Sequence, residues 1–250
     1  MNVREEWTVF RLAAQFLTRL PVGAPDWSEV RMAETPRWYP AVGVLVGLIA
    51  GAALWLGSFV SPLFGAVAAL AAGALATGCF HEDGFADLCD GLGGGATRER
   101  ALEIMRDSRL GTYGVLGLTL LLAGKAAALA AMPVELGIAA LVAAHALGRL
   151  SAVIVMVTAR YVRDHGTGKP VEAGAPGWWL GVLTGALALG PVAVLVPWGA
   201  ALAVGLLAAS HWEARRRFER RLGGYTGDCL GAVEQLGELA VLAGIATAWA

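Results

Sequence analysis

The chain is organised by where charge is missing. From Trp38 to Phe80 no residue is charged, and the same holds from Ala173 to Trp212. Each run is about twice the ~20 residues that an α-helix needs to cross the hydrocarbon core of a bilayer. Each therefore predicts a helical hairpin, broken in the first run near Ser58, Pro62 and Gly65 and in the second between Pro191 and Pro197. Gly111 to Met132 is a further span with one charge, Lys125. Glu135 opens another that runs to about Thr158 with Arg149 inside, and a last apolar segment covers Gly231 to Ala250. The pattern predicts about seven crossings. None shows the apolar/polar alternation of barrel strands, so the predicted fold class is an all-α polytopic membrane protein, with residues 1–250 as one domain. Ahead of the spans, Phe10, Ala13, Ala14, Leu17 and Leu20 follow helical spacing, while Arg11, Gln15 and Thr18 form a polar stripe. Trp7 to Val22 thus predicts an amphipathic helix on the membrane surface.

The basic residues suggest an orientation. Arg4, Arg11, Arg19, Arg31 and Arg37 precede the first span; Arg98, Arg100, Arg106 and Arg109 follow the second. Arg160, Arg163 and Lys169 follow the fourth, and Arg215, Arg216, Arg217, Arg220 and Arg221 precede the last. With seven crossings these loops all fall on one side, which the positive-inside rule makes cytoplasmic. The expected location is the inner (cytoplasmic) membrane, with the N-terminus inside and the C-terminus outside. No cleavable signal peptide is visible.

Composition sharpens this picture. Hydrophobic residues are 57% of the chain and charged residues only 16%, against ~25% charged in soluble domains. So little polar surface could not cover a soluble globule of this size. The net charge of −1 gives no bulk attraction to nucleic acid, and none is expected as a partner. Cys79, Cys89 and Cys229 show no metal-binding spacing and are expected to be unpaired thiols.

Polar chemistry concentrates in His81-Glu82-Asp83-Gly84-Phe85-Ala86-Asp87-Leu88-Cys89-Asp90-Gly91. Asp83, Asp87 and Asp90 stand at i, i+4 and i+7, which puts them at about 0°, 40° and −20° on one helical face. Three like charges there repel strongly next to a low-dielectric membrane. A hard divalent cation with oxygen ligands relieves that repulsion, and Mg²⁺ commonly bridges carboxylates to substrate phosphates. Gly91 to Gly95 follow, and Gly93 and Gly94 are read as a turn that lets the backbone approach a phosphate. Thr97 is positioned to cap a short helix to about Arg106. Asp107 could then return to the same metal site, with Arg106 and Arg109 contacting phosphate oxygens. Arg11 and Arg19 are further candidates for a phosphate contact. Asp228, just ahead of the last span, is the candidate for a second acid or a base, and Asp90 is its rival for that role. Lys125, His145 and Arg149 would lie inside the membrane zone, where ionisable groups cost ~2.5–3.5 kcal/mol at mid-helix. They need buried partners.

The run from His81 to Gly91, followed by Arg100-x-x-x-Glu103-Ile104-Met105-Arg106-Asp107-Ser108-Arg109-x-Gly111, resembles the cobalamin synthase (adenosylcobinamide-GDP ribazoletransferase) family. Phe16 to Val22, Trp38 to Gly43 and Gly224 to Ala232 resemble further motifs of that family, in order along nearly the whole chain. Phe85 and Cys89 depart from its commoner residues. The resemblance implies a Mg²⁺-dependent inner-membrane enzyme that joins adenosylcobinamide-GDP to α-ribazole or α-ribazole 5′-phosphate and releases GMP. On this reading Asp83, Asp87, Asp90 and Asp107 hold the metal. Those four and Asp228 form the catalytic set, and Arg19, His81, Gly93, Gly94, Arg106 and Arg109 bind substrate. Two other readings remain, a CDP-alcohol phosphotransferase and a transporter. The sequence also leaves open whether copies associate as a homo-oligomer.

Overall fold

The computed structural model describes residues 3–163 and 176–250; Lys169, counted above among the basic loops, lies outside them. Eleven α-helices occur in this part: α1 (Val3–Leu17), α2 (Glu29–Glu34), α3 (Tyr39–Ser58), α4 (Pro62–Thr77), α5 (Phe80–Gly94), α6 (Arg98–Ile104), α7 (Thr112–Ala130), α8 (Val134–Thr158), α9 (Trp179–Leu195), α10 (Pro197–Leu222) and α11 (Gly227–Trp249). The fold is all-α, and the described residues hold one isolated β-bridge, between Tyr161 and Tyr225.

The outside of this bundle is apolar. Trp55, Phe59, Leu75, Leu120, Leu187 and Trp198 are all exposed, a surface that a soluble monomer does not present but that lipid accepts. The charge-free runs break where expected, at Phe59–Ser61 and at Val196. Among the described residues the count of seven spans is not confirmed, however. By length and polarity four helices can cross a membrane, ending at Ser58 (α3), Ala130 (α7), Thr158 (α8) and Trp249 (α11). Of the others, α4 has 16 residues and α9 has 17, and α10 gives its last turns to arginine. Taking α4 and α5 as one bent span makes five.

Helix packing in lipid relies on small residues that let backbones approach. On α3, Gly43, Gly47 and Gly51 repeat every fourth residue and face α8. A methyl on Gly43 would collide with the His145 carbonyl, and one on Gly47 would lie 2.7 Å from Val142 Cα. Two apolar layers form, one with Leu121, Val153 and Val233, the other with Leu129, Leu141 and Val241. Between them, on α7, α8 and α11, lies a layer of buried Lys125, His145, Arg149, Glu234, Gln235 and Glu238.

The N-terminal helix is amphipathic as expected, with Val9, Leu12, Ala13, Ala14 and Leu17 buried, but it ends at Leu17 rather than Val22. It is fixed to α2 by the Arg31–Glu5 pair (2.6 Å) and to the turn ahead of α3 by Arg37–Glu6 (3.0 Å). All three cysteines are free thiols.

Candidate active site

The expected helix bearing the acids does form, as α5, but it does not continue the preceding span. Gly78 (φ 69°) and Cys79 (φ 60°) both adopt the left-handed conformation, which is costly for the non-glycine Cys79. The chain turns by 94° between α4 and α5. The result is a helix laid across the end of the bundle. Arg19 holds this elbow: its backbone N–H donates to the Ala76 carbonyl (2.7 Å) and its side chain lies over Gly78.

A cavity of about 910 Å³ opens between α4, α5, α7 and the loop that leads into α7. Its polar end carries Glu82, Asp83, Asp87, Arg106, Asp107 and Ser108, and its apolar end runs down between α4 and α7 past Leu70, Leu122 and Ala126. The fold-back of Asp107 towards Asp83 and Asp87 is thus realised. Thr97 caps α6, accepting from the Arg100 N–H (3.2 Å), and the short α6 returns the chain to α5. Arg109 does not reach into the cavity. Its guanidinium is 87% exposed and grips Asp107 at 2.6 Å, and these hydrogen bonds lower the Asp107 carboxyl to about 2.

Asp90 is placed differently. It is buried, its Oδ2 accepts from the Gly111 N–H (2.8 Å) and its Oδ1 from the Gly114 N–H (2.9 Å). No side chain near α7 in sequence caps that helix. Asp90 therefore meets its free N–H groups and the positive end of its dipole. Both oxygens are engaged away from the cavity.

His81 faces the opposite side of α5, about 200° from Asp83 at two residues' separation. It is buried beside Tyr39, Arg149 and Glu234, which leaves it no reach to the polar end of the cavity. The glycine run is also corrected: α5 remains helical through Gly94. Gly93 lies against the ring of Tyr113 and Gly94 against Ile104, so these glycines admit neighbouring side chains where a turn was expected. Arg11, read as a phosphate contact, donates to the Val22 carbonyl (2.8 Å).

Asp228 reaches the site through close packing. At Gly84 a methyl group would lie 2.9 Å from Asp228 Cα, so α11 starts directly on α5. Asp87, half-buried, feels the charges of Asp228 and Asp83. Arg163 pairs with Asp228 (2.7 Å). The Tyr161–Tyr225 bridge holds it there, through Val162 N–H to Tyr225 O (3.0 Å) and Tyr225 N–H to Arg160 O (2.8 Å). Sequence reasoning missed Arg163, since a loop arginine shows no periodicity that would tie it to α11.

Beneath the cavity, Gln235 Nε2 donates to Glu82 Oε1 (3.1 Å). Gln235 also accepts from Lys125, which pairs with Glu238 at 2.7 Å. Glu238 meets His145, and Arg149 pairs with Glu234 at 2.7 Å. His145, Glu234 and Glu238 could together ligate a metal. Lys125 and Arg149 already balance the two carboxylates, so no further cation is called for. The α5 site is different: among the described residues Asp83 and Asp87 have no ion pair, and Glu82 Oε2 is buried with no hydrogen-bond partner.

An acid-lined cavity at a helix laid across a membrane bundle fits many phosphate chemistries, and comparison with known proteins narrows them. The family model for cobalamin-5-phosphate synthase matches residues 9–246. The chain belongs to the cobalamin-5-phosphate synthase family. It is 42% identical to the adenosylcobinamide-GDP ribazoletransferase of Ralstonia pickettii, over 99% of this chain and 98% of that protein. The protein of the same name from Leptothrix cholodnii is 43% identical over 98% of this chain and 97% of its own length. The one from Shewanella frigidimarina is 39% identical over 92% and 91%. No solved structure matches. The family match spans the bundle except the first turns of α1 and the end of α11, and includes every residue of the site.

Proposed function

We propose that this protein is a membrane-bound adenosylcobinamide-GDP ribazoletransferase. It transfers the phospho-cobinamide moiety of adenosylcobinamide-GDP to a hydroxyl of α-ribazole or α-ribazole 5′-phosphate and releases GMP, a late step of vitamin B12 assembly. The observation that carries the reading is the gathering of Asp83, Asp87 and Asp107 in one cavity within a chain whose full-length relatives bear that name.

The reaction forms a P–O bond to the acceptor hydroxyl and breaks the pyrophosphate P–O bond, so GMP leaves with the bridging oxygen. Such displacements depend mostly on positioning and on neutralising charge. Asp83, Asp87 and Asp107 are hard oxygen donors without nitrogen or sulfur ligands among them, which suits Mg²⁺. They would hold the ion, and Mg²⁺ would supply charge neutralisation for the pyrophosphate and the leaving phosphate. Asp90 serves this set indirectly, by fixing the start of α7 and with it the loop that carries Asp107. The attacking hydroxyl must lose a proton. Of the two carboxylates considered as bases, Asp90 has both oxygens engaged, which favours Asp228, oriented by Arg163. Arg106, on the cavity wall, is suited to a phosphate oxygen. Arg19 acts by holding the elbow.

The basic loops support a cytoplasmic site in the inner membrane. Arg98 donates to the Leu222 carbonyl (2.7 Å) and Arg163 reaches the Met105 carbonyl (3.5 Å). Basic segments far apart in sequence thus gather at the α5 end, whereas the turns at the other end carry no Lys or Arg. The test is purified protein with Mg²⁺, adenosylcobinamide-GDP and α-ribazole 5′-phosphate, followed for GMP. Release that stops on chelation and returns with Mg²⁺ is expected. A folded protein releasing no GMP with either acceptor would overturn the reading.

A further inference from the structure

A second cavity, of about 710 Å³, lies on the other side of α5, against α7, α10 and α11. Its inner walls are apolar: Phe85, Leu88, Leu116, Leu120 and Leu236. Its mouth carries Tyr113 and, on α10, Arg217, Arg220 and Arg221. These arginines share one helical face, at i, i+3 and i+4. They belong to a segment, Glu213 to Arg221, with five arginines against two glutamates, an excess of +3. Glu213 takes the Nε of Arg217 (2.7 Å) and Glu219 pairs with Arg215 (2.9 Å). Arg220 has no ion pair among the described residues and is exposed.

The groove therefore changes character along its length. From Tyr113 at the mouth, the α7 wall continues seven residues to Leu120, about 10 Å of apolar surface at 1.5 Å per residue. A small phosphorylated solute would match the arginines but leave this depth unused. An uncharged apolar chain would fill the depth and leave Arg220, which has no ion pair among the described residues, without a counter-charge. A molecule with an anionic head and an alkyl tail matches both ends, and Leu116 and Leu120 are exposed on the surface that faces the bilayer. We propose that this groove is a binding site for one anionic phospholipid, with its headgroup phosphate on Arg217 and Arg220 and an acyl chain along Leu116 and Leu120. Charge complementarity selects the headgroup, and the apolar walls fix the lipid in one place rather than in a diffuse cloud.

The experiment uses the full chain in detergent, exposed to equal amounts of phosphatidylglycerol and phosphatidylcholine, with retained lipid counted by native mass spectrometry. The wild type should retain one phosphatidylglycerol in preference to phosphatidylcholine. Arg217→Gln and Arg220→Gln should each lower that preference about fivefold. Leu120→Trp should abolish retention without any change of charge, because it fills the apolar channel. Arg216→Gln, on the same helix but outside the groove, should leave the preference intact. The proposal is overturned if Arg216→Gln acts as strongly as the groove arginines, or if Leu120→Trp retains the lipid, since either makes the effect one of surface charge. Displacement of the phospholipid by millimolar inorganic phosphate would also overturn it, in favour of a site for soluble phosphate. All variants lie at exposed positions, and unchanged thermal midpoints will verify that they fold.

Discussion

Replacing Asp90 by Asn separates two roles that look alike on a helical wheel. The Asp90 carboxylate accepts from Gly111 N–H at 2.8 Å and from Gly114 N–H at 2.9 Å. An amide has one acceptor oxygen, so its NH₂ group would face the second N–H, donor against donor. Losing one hydrogen bond to a charged group costs about 1.5–3 kcal/mol. Removing the charge from the N-terminus of α7 adds about 0.3–1 kcal/mol. The sum is about 2–4 kcal/mol of stability. Asp83 is exposed and makes no side-chain hydrogen bond among the described residues. Asp83→Asn should therefore move stability by no more than about 0.5 kcal/mol while GMP release is lost. The assay is reversible unfolding in mixed micelles, read by helical circular dichroism, beside GMP release from the same preparations. An Asp90→Asn protein as stable as wild type would refute the capping role. So would an Asp83→Asn protein destabilised to the same extent.

Three further outcomes follow from the geometry. Lys125→Met leaves Glu238 without its 2.7 Å partner and should cost about 3–5 kcal/mol; adding Glu238→Gln should recover part of that loss in the same unfolding assay, and no recovery would show that the two groups do not interact. Gly47→Leu drives a side chain into Val142 Cα and should destabilise the α3–α8 contact by at least the 1–3 kcal/mol typical of overpacking, which a normal thermal midpoint would contradict. Arg109 holds Asp107 at about 2, below the ordinary 3.8; the lowered value means that Asp107 stays ionised as pH falls until it nears 2, and Arg109→Gln should raise its titration towards the usual carboxylate range while the backbone N–H of residue 109 still holds it somewhat low, measurable by carboxyl-carbon NMR.

Much of the bundle could be read locally, because hydrophobicity over 20 residues and a turn signal are both properties of neighbours in sequence. The meeting of Asp83, Asp87 and Asp107 was also legible: an i, i+4 pair shares a face, and the short helix capped by Thr97 folds back to return Asp107 to it. The elbow at Cys79 was not, since a left-handed cysteine has no sequence signal. Asp90 was misjudged because its partners, Gly111 and Gly114, lie 21 and 24 residues later at the start of α7, so only tertiary structure tells a ligand from a cap. For His81 the wheel that grouped the aspartates already places it on the far face. Lys125 and Arg149 were correctly expected to need partners. The i, i+4 pair Glu234 and Glu238 was visible, but no local pattern says which helix faces which.

The polar layer between the two apolar cores bears on how the chain enters the membrane. Lys125 lies on α7 and Arg149 on α8, yet the carboxylates that neutralise them, Glu234 and Glu238, are on α11. During synthesis Arg149 emerges 85 residues before Glu234, and Lys125 113 residues before Glu238. Until then two cations must be sheltered by the insertion machinery, by bound water or by lipid headgroups, each at ~2.5–3.5 kcal/mol if left at mid-bilayer. Arrival of α11 removes that cost and, with Gly84 seated against Asp228, brings the last carboxylate onto α5. A chain released before Glu234 would hold two unmatched positive charges in lipid. Neutralisation of the buried cations and the seating of Asp228 on α5 are thus timed by the same helix.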